Sequence, residues 1–286
     1  MKARLRYFRK AFYQLSRNRL SLGGLAMVAV VMIMAIFAPF IAPYPDHAGN
    51  YMDFKDANKP PSWRHWFGTD YMGRDVLSRI IFGFRYSLLL GVVVLALVVP
   101  VGVSLGLLAG YFHGSLIDTI IMRITDIFLA LPPLILALAI TAILTPNLFN
   151  AMLAVSLAWW PWYCRLAYGM VCTIRNEDFV RSAEVFRIPR TYIIFREILP
   201  NCLPGIMTKM TLDVGIVILV GASLSFVGLG VQPPTPDLGT MVADGSAYIP
   251  QQWWTTIFSA LAIAFVVMGF NVLGDGLRDA FSIERT

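Results

Sequence analysis

The chain has 286 residues, 57% of them hydrophobic and 14% charged, with a mean hydropathy of +0.67 and a formal net charge of +6. A water-facing surface needs about 25% charged residues, so a soluble domain is excluded and the chain is expected to cross a bilayer. The three cysteines, Cys164, Cys172 and Cys202, are too scattered for a disulfide framework and read as small buried thiols.

The amino terminus is basic and leads into a charge-free run from Leu20 to Pro45. That run is too long for a signal-peptide core and no A-x-A-like cleavage site follows it, so it reads as a retained first span. Charge-free stretches of about 20 residues mark the spans. They fall at 21–42, 87–110, two between Asp126 and Arg165, 203–228 and 254–275. Thr145-Pro146-Asn147 is the turn that divides the third span from the fourth. An all-α, polytopic membrane protein with six transmembrane helices is expected.

Basic residues orient the spans. Residues 1–20 hold Lys2, Arg4, Arg6, Arg9, Lys10, Arg17 and Arg19. The loop between spans four and five holds Arg165, Arg175, Arg181, Arg187, Arg190 and Arg196, and the tail adds Arg278 and Arg285. The 229–253 loop has only Asp237 and Asp244 as charges, and the six basic residues of the first long loop sit among five aspartates. Both termini are therefore expected in the cytoplasm. The expected division is a basic terminus (1–20), a first span (21–42), an extracytoplasmic segment (43–86) and a membrane core (87–281). That core includes a cytoplasmic loop at 171–200 and an extracytoplasmic loop at 229–253.

Glycines 102, 106 and 110, four residues apart on the second span, allow close approach of another helix, in the same chain or across a subunit interface. Arg123 and Asp126 are spaced to pair on the third span. Leu131-Pro132-Pro133 should kink it, since two prolines remove backbone donors. Lys209 and Asp213, i and i+4 on the fifth span, share one helix face. Charges at that depth are costly, so they read either as part of a translocation path or as a self-neutralising bridge.

No G-x-x-x-x-G-K-[ST] phosphate loop, no H-E-x-x-H and no clustered His/Cys set occurs. Gly102-Val103-Ser104-Leu105-Gly106 matches G-x-S-x-G but lies inside an apolar span, where no nucleophile elbow can form. No catalytic residue, no metal site and no cofactor bound by this chain is expected.

The 171–200 loop is amphipathic and longer than a plain connection requires. A helix from an Asp178 N-cap would align Phe179, Val180, Ala183 and Phe186 along one stripe and stop before Pro189. A second short helix, 192–199, would lead back to the membrane. On the other side, Trp63 and Trp66 suit a membrane interface, and Gln232-Pro233-Pro234-Thr235-Pro236 makes a stiff loop.

Ala183, Leu199 and Pro200 fit the E-A-A-x(3)-G-x(9)-I-x-L-P loop of bacterial ABC importer permeases, while Arg181, Ser182, Arg187 and Glu197 depart from it. FGTDYMGRDVLSRIIFGFRYSL (67–88) resembles the G-T-D-x-x-G-R-D-V-x-S-R-x-x-x-G-x-R-x-S-L segment of dipeptide, oligopeptide and nickel permeases. MRITDIFLALPPLILAL (122–138), ASLSFVGLGVQPPTPDLGTM (222–241) and FNVLGDGLRDAF (270–281) also resemble that family, so the likeness runs over essentially the whole chain.

The resemblance is to the C-type membrane subunit and implies a type I ABC importer transmembrane fold in a bacterial or archaeal inner membrane. It implies a heterodimer with a B-type permease, two cytoplasmic ATPase subunits that hold ATP and Mg, and an extracytoplasmic substrate-binding protein. It places ATPase coupling on Asp178, Phe179, Val180, Arg181, Ser182, Ala183, Glu184, Arg187, Leu199 and Pro200. Phe179, Val180, Ser182 and Ala183 would form the docking face. With Arg187 where the family has glycine, Pro189 should end the helix. Arg181 and Glu184 invert the family's charge order, which calls for a complementary change on the ATPase.

Trp63, Trp66, Gln232, Pro233 and Pro234 are candidate contacts for the binding protein, and Lys209 and Asp213 for the path. Peptides are the expected cargo. Nickel or a metal chelate is the alternative, with Asp213 in its favour. A stand-alone secondary carrier is more remote, because it needs several intramembrane titratable groups and inverted repeats.

Overall fold

Polar caps and prolines set where each helix starts and breaks. A computed structural model describes residues 18–282. The basic residues Lys2, Arg4, Arg6, Arg9, Lys10, Arg17 and Arg285 therefore lie outside the described residues. Helix α1 (Arg19–Ile36) starts where the Asn18 side chain accepts from the Leu20 amide at 3.0 Å, and a short helical turn, Ala38–Ile41, follows it. Helix α2 (Val76–Tyr111) starts at Asp75, whose Oδ2 accepts from the Ser78 amide at 2.8 Å. Its 36 residues make a rod of about 54 Å, well beyond a ~30 Å hydrocarbon core.

The helix thus begins eleven residues before the expected span. The added turns carry Arg79 and Arg85, which the charge-free span left out; Arg79 is buried within reach of Asp70 and so does not end the helix.

Helices α3 (Leu116–Leu129) and α4 (Pro133–Ile143) are bent by 85° at the Pro132-Pro133 break, nearly a right angle where a kink was expected. Asn147 caps α5 (Leu148–Ile174). The connecting segment carries α6 (Asp178–Val185), a single turn Arg190–Tyr192 and a π-helical turn Ile193–Ile198. Helix α7 (Leu199–Phe226) continues directly from that turn. Helix α8 (Leu238–Ser246), capped by Asp237, lies before α9 (Trp253–Ser282).

Among the described residues, four stretches are long and apolar enough to cross a membrane: Arg19–Ile36, Val76–Tyr111, Arg190–Phe226 and Trp253–Ala280. The bent α3–α4 pair makes a fifth if it is one span. Helix α5, 27 residues long, is not among them: its tryptophans, tyrosines and Arg165 make it less apolar than the six-span expectation assumed, so four or five spans stand where six were expected.

The α2–α5 pair forms the centre. A Cβ on Gly102 would lie 2.6 Å from the Trp160 carbonyl oxygen, one on Gly106 2.3 Å from that of Cys164, and one on Gly110 2.7 Å from the Val171 Cβ. The four-residue glycine ladder is therefore a seam inside this chain. One buried cluster runs from Leu90, Val98 and Leu107 of α2 through Val155 and Tyr163 of α5 to Ile206 and Val217 of α7. A second joins Val31 of α1, Phe84 of α2, Leu238 of α8 and Val266 of α9. Asp126 of α3 pairs with Arg165 of α5, not with Arg123 as its i, i+3 spacing suggested.

Candidate functional site

Three places hold the residues singled out by sequence. The first is the connecting segment. Glu177, with an extended backbone, is the N-cap of α6, so Asp178 is the first helical residue and not the cap. A carboxylate there still complements the helix dipole. Val180 and Ala183 are buried and share the central cluster with Ile193, Ile194 and Ile198.

The docking face expected at Phe179, Val180, Ser182 and Ala183 is therefore corrected. Val180 and Ala183 fasten α6 to the body of the chain. The outward side carries Asp178, Phe179, Arg181, Ser182, Glu184, Val185 and Phe186, with Val185 and Phe186 each 80% exposed. Leu199 and Pro200 are half-buried at the start of α7, and Leu199 packs on the central cluster.

The end of α6 is also corrected. Arg187 has φ +55°, so it takes the left-handed conformation that the family's glycine would supply. Its amide donates to the Glu184 carbonyl at 2.9 Å, and that of Ile188 to the Ala183 carbonyl at 3.1 Å, which together close the helix as a Schellman motif. Pro189 only follows this stop. A non-glycine residue in that conformation costs about 1–2 kcal/mol. Arg187→Gly should stabilise the segment by on the order of 1 kcal/mol after glycine's own entropic cost. Slower cleavage within 171–200 in limited proteolysis would register the gain.

Glu184 turns to Tyr111, the last residue of α2, whose hydroxyl donates to Oε1 at 2.9 Å. Glu184, although exposed, thus has a partner inside the chain, while Arg181 stands exposed beside it.

The second place is the Lys209–Asp213 pair on α7. Lys209 Nζ donates to Asp213 Oδ1 at 2.8 Å, and Trp159 Nε1 of α5 donates to Oδ2 at 3.2 Å. Asp213 is fully buried, and both its oxygens are engaged. Lys209 also lies 5.8 Å from the Trp162 ring and 5.9 Å from the Tyr163 ring, a cation–π setting. A groove of about 720 Å³, open to the surface, lies elsewhere between α7, α8 and α9. Leu219, Phe226, Val242, Ile263, Met268 and Asn271 are among its lining residues, and neither Lys209 nor Asp213 is.

The third place is the 43–85 segment, where the sequence concealed a buried polar knot. Trp63 and Trp66 are exposed, 97% and 63%, while His65 between them is buried and Phe67 stacks on Phe258 of α9 at 4.1 Å. Asp70 accepts from the amides of Met72 and Arg74 at 2.9 Å each and from Arg74 Nε at 2.7 Å, and it lies 3.6 Å from Arg79 Nε. Asp75 bonds His65 Nδ1 at 2.9 Å and takes the Ser78 hydroxyl at 2.7 Å, while its own amide donates to His47 Nδ1 at 2.8 Å.

Gly73 has φ +78°, and a Cβ there would lie 2.0 Å from the Asp53 carbonyl oxygen, so the turn tolerates only glycine. Trp254 donates to the Thr69 carbonyl at 3.0 Å. Arg79 reaches the Pro234 carbonyl at 3.5 Å. Gln232 folds onto the carbonyls of Gly228 and Gly230 at 3.1 Å each, and Gln232, Pro233 and Pro234 remain exposed. The knot thus ties 43–85 to the 229–253 loop. Neither periodicity nor motif spacing could disclose it, because its histidines come from outside the glycine-rich run.

Burial holds the His47 imidazole below its ordinary value of 6.5, against the pull of Asp75. The neutral ring is the form that can accept from the Asp75 amide. Because the unfolded chain takes up the proton first, stability is whole above 6.5 and falls as pH drops below it. The Tm of the detergent-solubilised protein should fall between about pH 7.5 and 5.5. His47→Gln, whose amide oxygen accepts without titrating, should flatten that slope. Burial likewise raises the Asp244 carboxyl on α8, opposed by Arg79 and Arg74.

Comparison with known proteins bears on this architecture directly. Residues 102–283 match the family model of the binding-protein-dependent transport system inner membrane component, and residues 6–61 that of the N-terminal TM domain of oligopeptide transport permease C. The chain is 41% identical over 270 residues to the probable D,D-dipeptide transport system permease protein DdpC of Escherichia coli K12, covering 94% of this chain and 89% of that protein. It is 42% identical to the dipeptide permease DppC of Alkalihalophilus pseudofirmus (96% and 88% covered). It is 36% identical to the oligopeptide permease OppC of Bacillus subtilis (98% and 90% covered).

Among solved structures, an inward-facing MetNI methionine ABC transporter chain superposes with a TM-score of 0.58 at 18% identity, over 72% of this chain and 96% of that one. The helical order, the α6 elbow and these matches agree: the chain belongs to the inner membrane components of binding-protein-dependent transport systems, the permeases of ABC importers.

Proposed function

We propose that this chain is the non-catalytic permease half of an ATP-driven importer of di- and oligopeptides, with a B-type permease as the other half. Two cytoplasmic ATPases would bind and hydrolyse ATP with Mg, and an extracytoplasmic binding protein would deliver the cargo. The observation that carries the reading is the elbow at 178–200. Helix α6 is pinned inward by Val180 and Ala183 and turns Phe179, Val185 and Phe186 outward beside Arg181 and Arg187. Such an apolar-and-basic knob suits a cleft in an ATPase. Closure of the ATPases would push on it and reorient the spans.

The arginines of 165–196 favour a cytoplasmic elbow and cytoplasmic termini. Exposed Trp63, Trp66, Gln232, Pro233 and Pro234, held together through the Arg79–Pro234 contact, form the proposed docking site for the binding protein. Peptide cargo is supported by relatives named for dipeptides and oligopeptides. Nickel loses its one supporting residue, because both oxygens of Asp213 are engaged by Lys209 and Trp159. The same pairing favours the bridge over a role in the path for Lys209 and Asp213.

Proteoliposomes holding both permeases, both ATPases and the binding protein should take up labelled dipeptide only with ATP. Uptake driven by an ion gradient in vesicles lacking the ATPases would overturn the proposal.

A further inference from the structure

The inner end of α2 is held at three consecutive residues by three side chains of the connecting segment. Arg175, at the end of α5, donates to the Gly110 carbonyl at 3.4 Å. Glu184 of α6 accepts from the Tyr111 hydroxyl at 2.9 Å. The guanidinium of Arg190, past the Schellman turn, lies 5.5 Å from the Phe112 ring centroid. Each partner is more than 60 residues away in sequence, so no local helical preference produces the arrangement.

The three contacts differ in what they can transmit. Arg175 belongs to the helix already sewn to α2 along the glycine seam, so its contact moves with that seam. Glu184 lies on the outward-facing helix, and Tyr111 Oη–Glu184 Oε1 is the direct polar link between that helix and a span. Arg190 grips the next ring from beyond the stop at Arg187.

We infer that this clasp, with Tyr111 and Glu184 as its positioning residues, is what makes α2 follow α6 during transport. The inference rests on the reading of 178–200 as the ATPase-facing elbow. A displacement of α6 pulls on the hydroxyl at the end of a 36-residue rod, and the glycine seam makes α5 move with it. Without the link α6 keeps its apolar anchorage through Val180 and Ala183 but loses its polar tie to the end of α2, and hydrolysis proceeds with less reorientation of α2.

The test uses the full complex in proteoliposomes. In Tyr111→Phe, assembly and ATP hydrolysis should persist while ATP consumed per labelled dipeptide imported rises by roughly fivefold or more, the low end of site-to-site coupling. Glu184→Ala should do the same. Glu184→Gln, whose amide oxygen still accepts from Tyr111, should stay near the wild-type ratio, an outcome a charge effect would not give.

A second readout needs no cargo. Ser104→Cys, on the exposed side of α2, should change its thiol reactivity with ATP and vanadate in the wild-type background and lose that response with Tyr111→Phe. An unchanged ratio and an intact vanadate response in Tyr111→Phe, or Glu184→Gln as uncoupled as Glu184→Ala, would overturn the clasp. Absence of any ATP-dependent uptake in the wild-type complex would instead strike the proposed function.

Discussion

Replacing Asp70 by alanine is expected to remove nearly all of the permease from the membrane. The carboxylate is 4% exposed and faces Arg74 and Arg79, themselves 1% and 2% exposed. Removing one partner of a buried ion pair costs about 3–5 kcal/mol, because the remaining charge stays buried without its counter-ion. Here two guanidiniums lose the same carboxylate, and the amides of Met72 and Arg74 lose their acceptor. That loss is comparable to the whole stability of many domains.

Asp70→Asn separates the effects. Its amide oxygen can still take the two backbone amides while the charge is gone, so its membrane level should fall between those of alanine and wild type. Quantitative immunoblotting of membranes at matched expression measures both. Wild-type levels of Asp70→Ala would show that the knot is dispensable.

The second large effect is expected at the glycine seam. In Gly106→Leu the new Cβ would stand 2.3 Å from the Cys164 carbonyl oxygen and 2.7 Å from the Ala167 Cβ. Neither backbone can yield without the other, so α2 and α5 must separate along the seam. Overpacking a fitted interior costs about 1–3 kcal/mol when side chains can shift, and an obstruction by backbone exceeds that.

Gly106→Ala should already lower the Tm of the purified complex by several degrees, roughly 2–4 °C per kcal/mol for a chain of this size. Gly169, on the same α5 but with nothing within 4 Å of its would-be Cβ, is the control. Gly169→Ala should be neutral or raise the Tm slightly, since alanine favours helix by about 1 kcal/mol over glycine. Equal effects at the two positions would argue against a close-approach seam.

These two sites also show what a single sequence discloses and what it hides. The seam was legible because its signal is local: small residues four apart lie on one helix face whatever the partner. The break at Pro132-Pro133 was legible for the same reason, although its 85° angle depends on what α3 and α4 pack against. The burial of Asp70 was not legible. A charged G-T-D-x-x-G-R-D run reads as solvated loop until His47, Trp254 and Pro234 arrive from elsewhere in the chain.

The elbow falls between these cases. Phe179 and Phe186 flank Val180 and Ala183 on adjoining strips of α6, so periodicity finds an amphipathic helix without telling which strip turns inward. Small, closely fitting Val180 and Ala183 went inside, and the phenylalanines remain exposed. The left-handed Arg187 was hidden by the opposite expectation, that a helix lacking glycine must stop at proline. Tyr111 gave no signal, because it closes an apolar span and its partner Glu184 lies 73 residues away.

Ser182 is the position from which the account can be tested most directly, since it is exposed between Arg181 and the inward-facing Ala183. Cysteine at 182, placed in a chain whose three native cysteines are replaced by serine or alanine, should form a short-linker cross-link to an ATPase subunit in intact membranes, and ATP with vanadate should change its yield. Labelling of that cysteine by an impermeant thiol reagent added to the outside of cells, or a complex that transports while residue 182 touches no ATPase, would contradict the account.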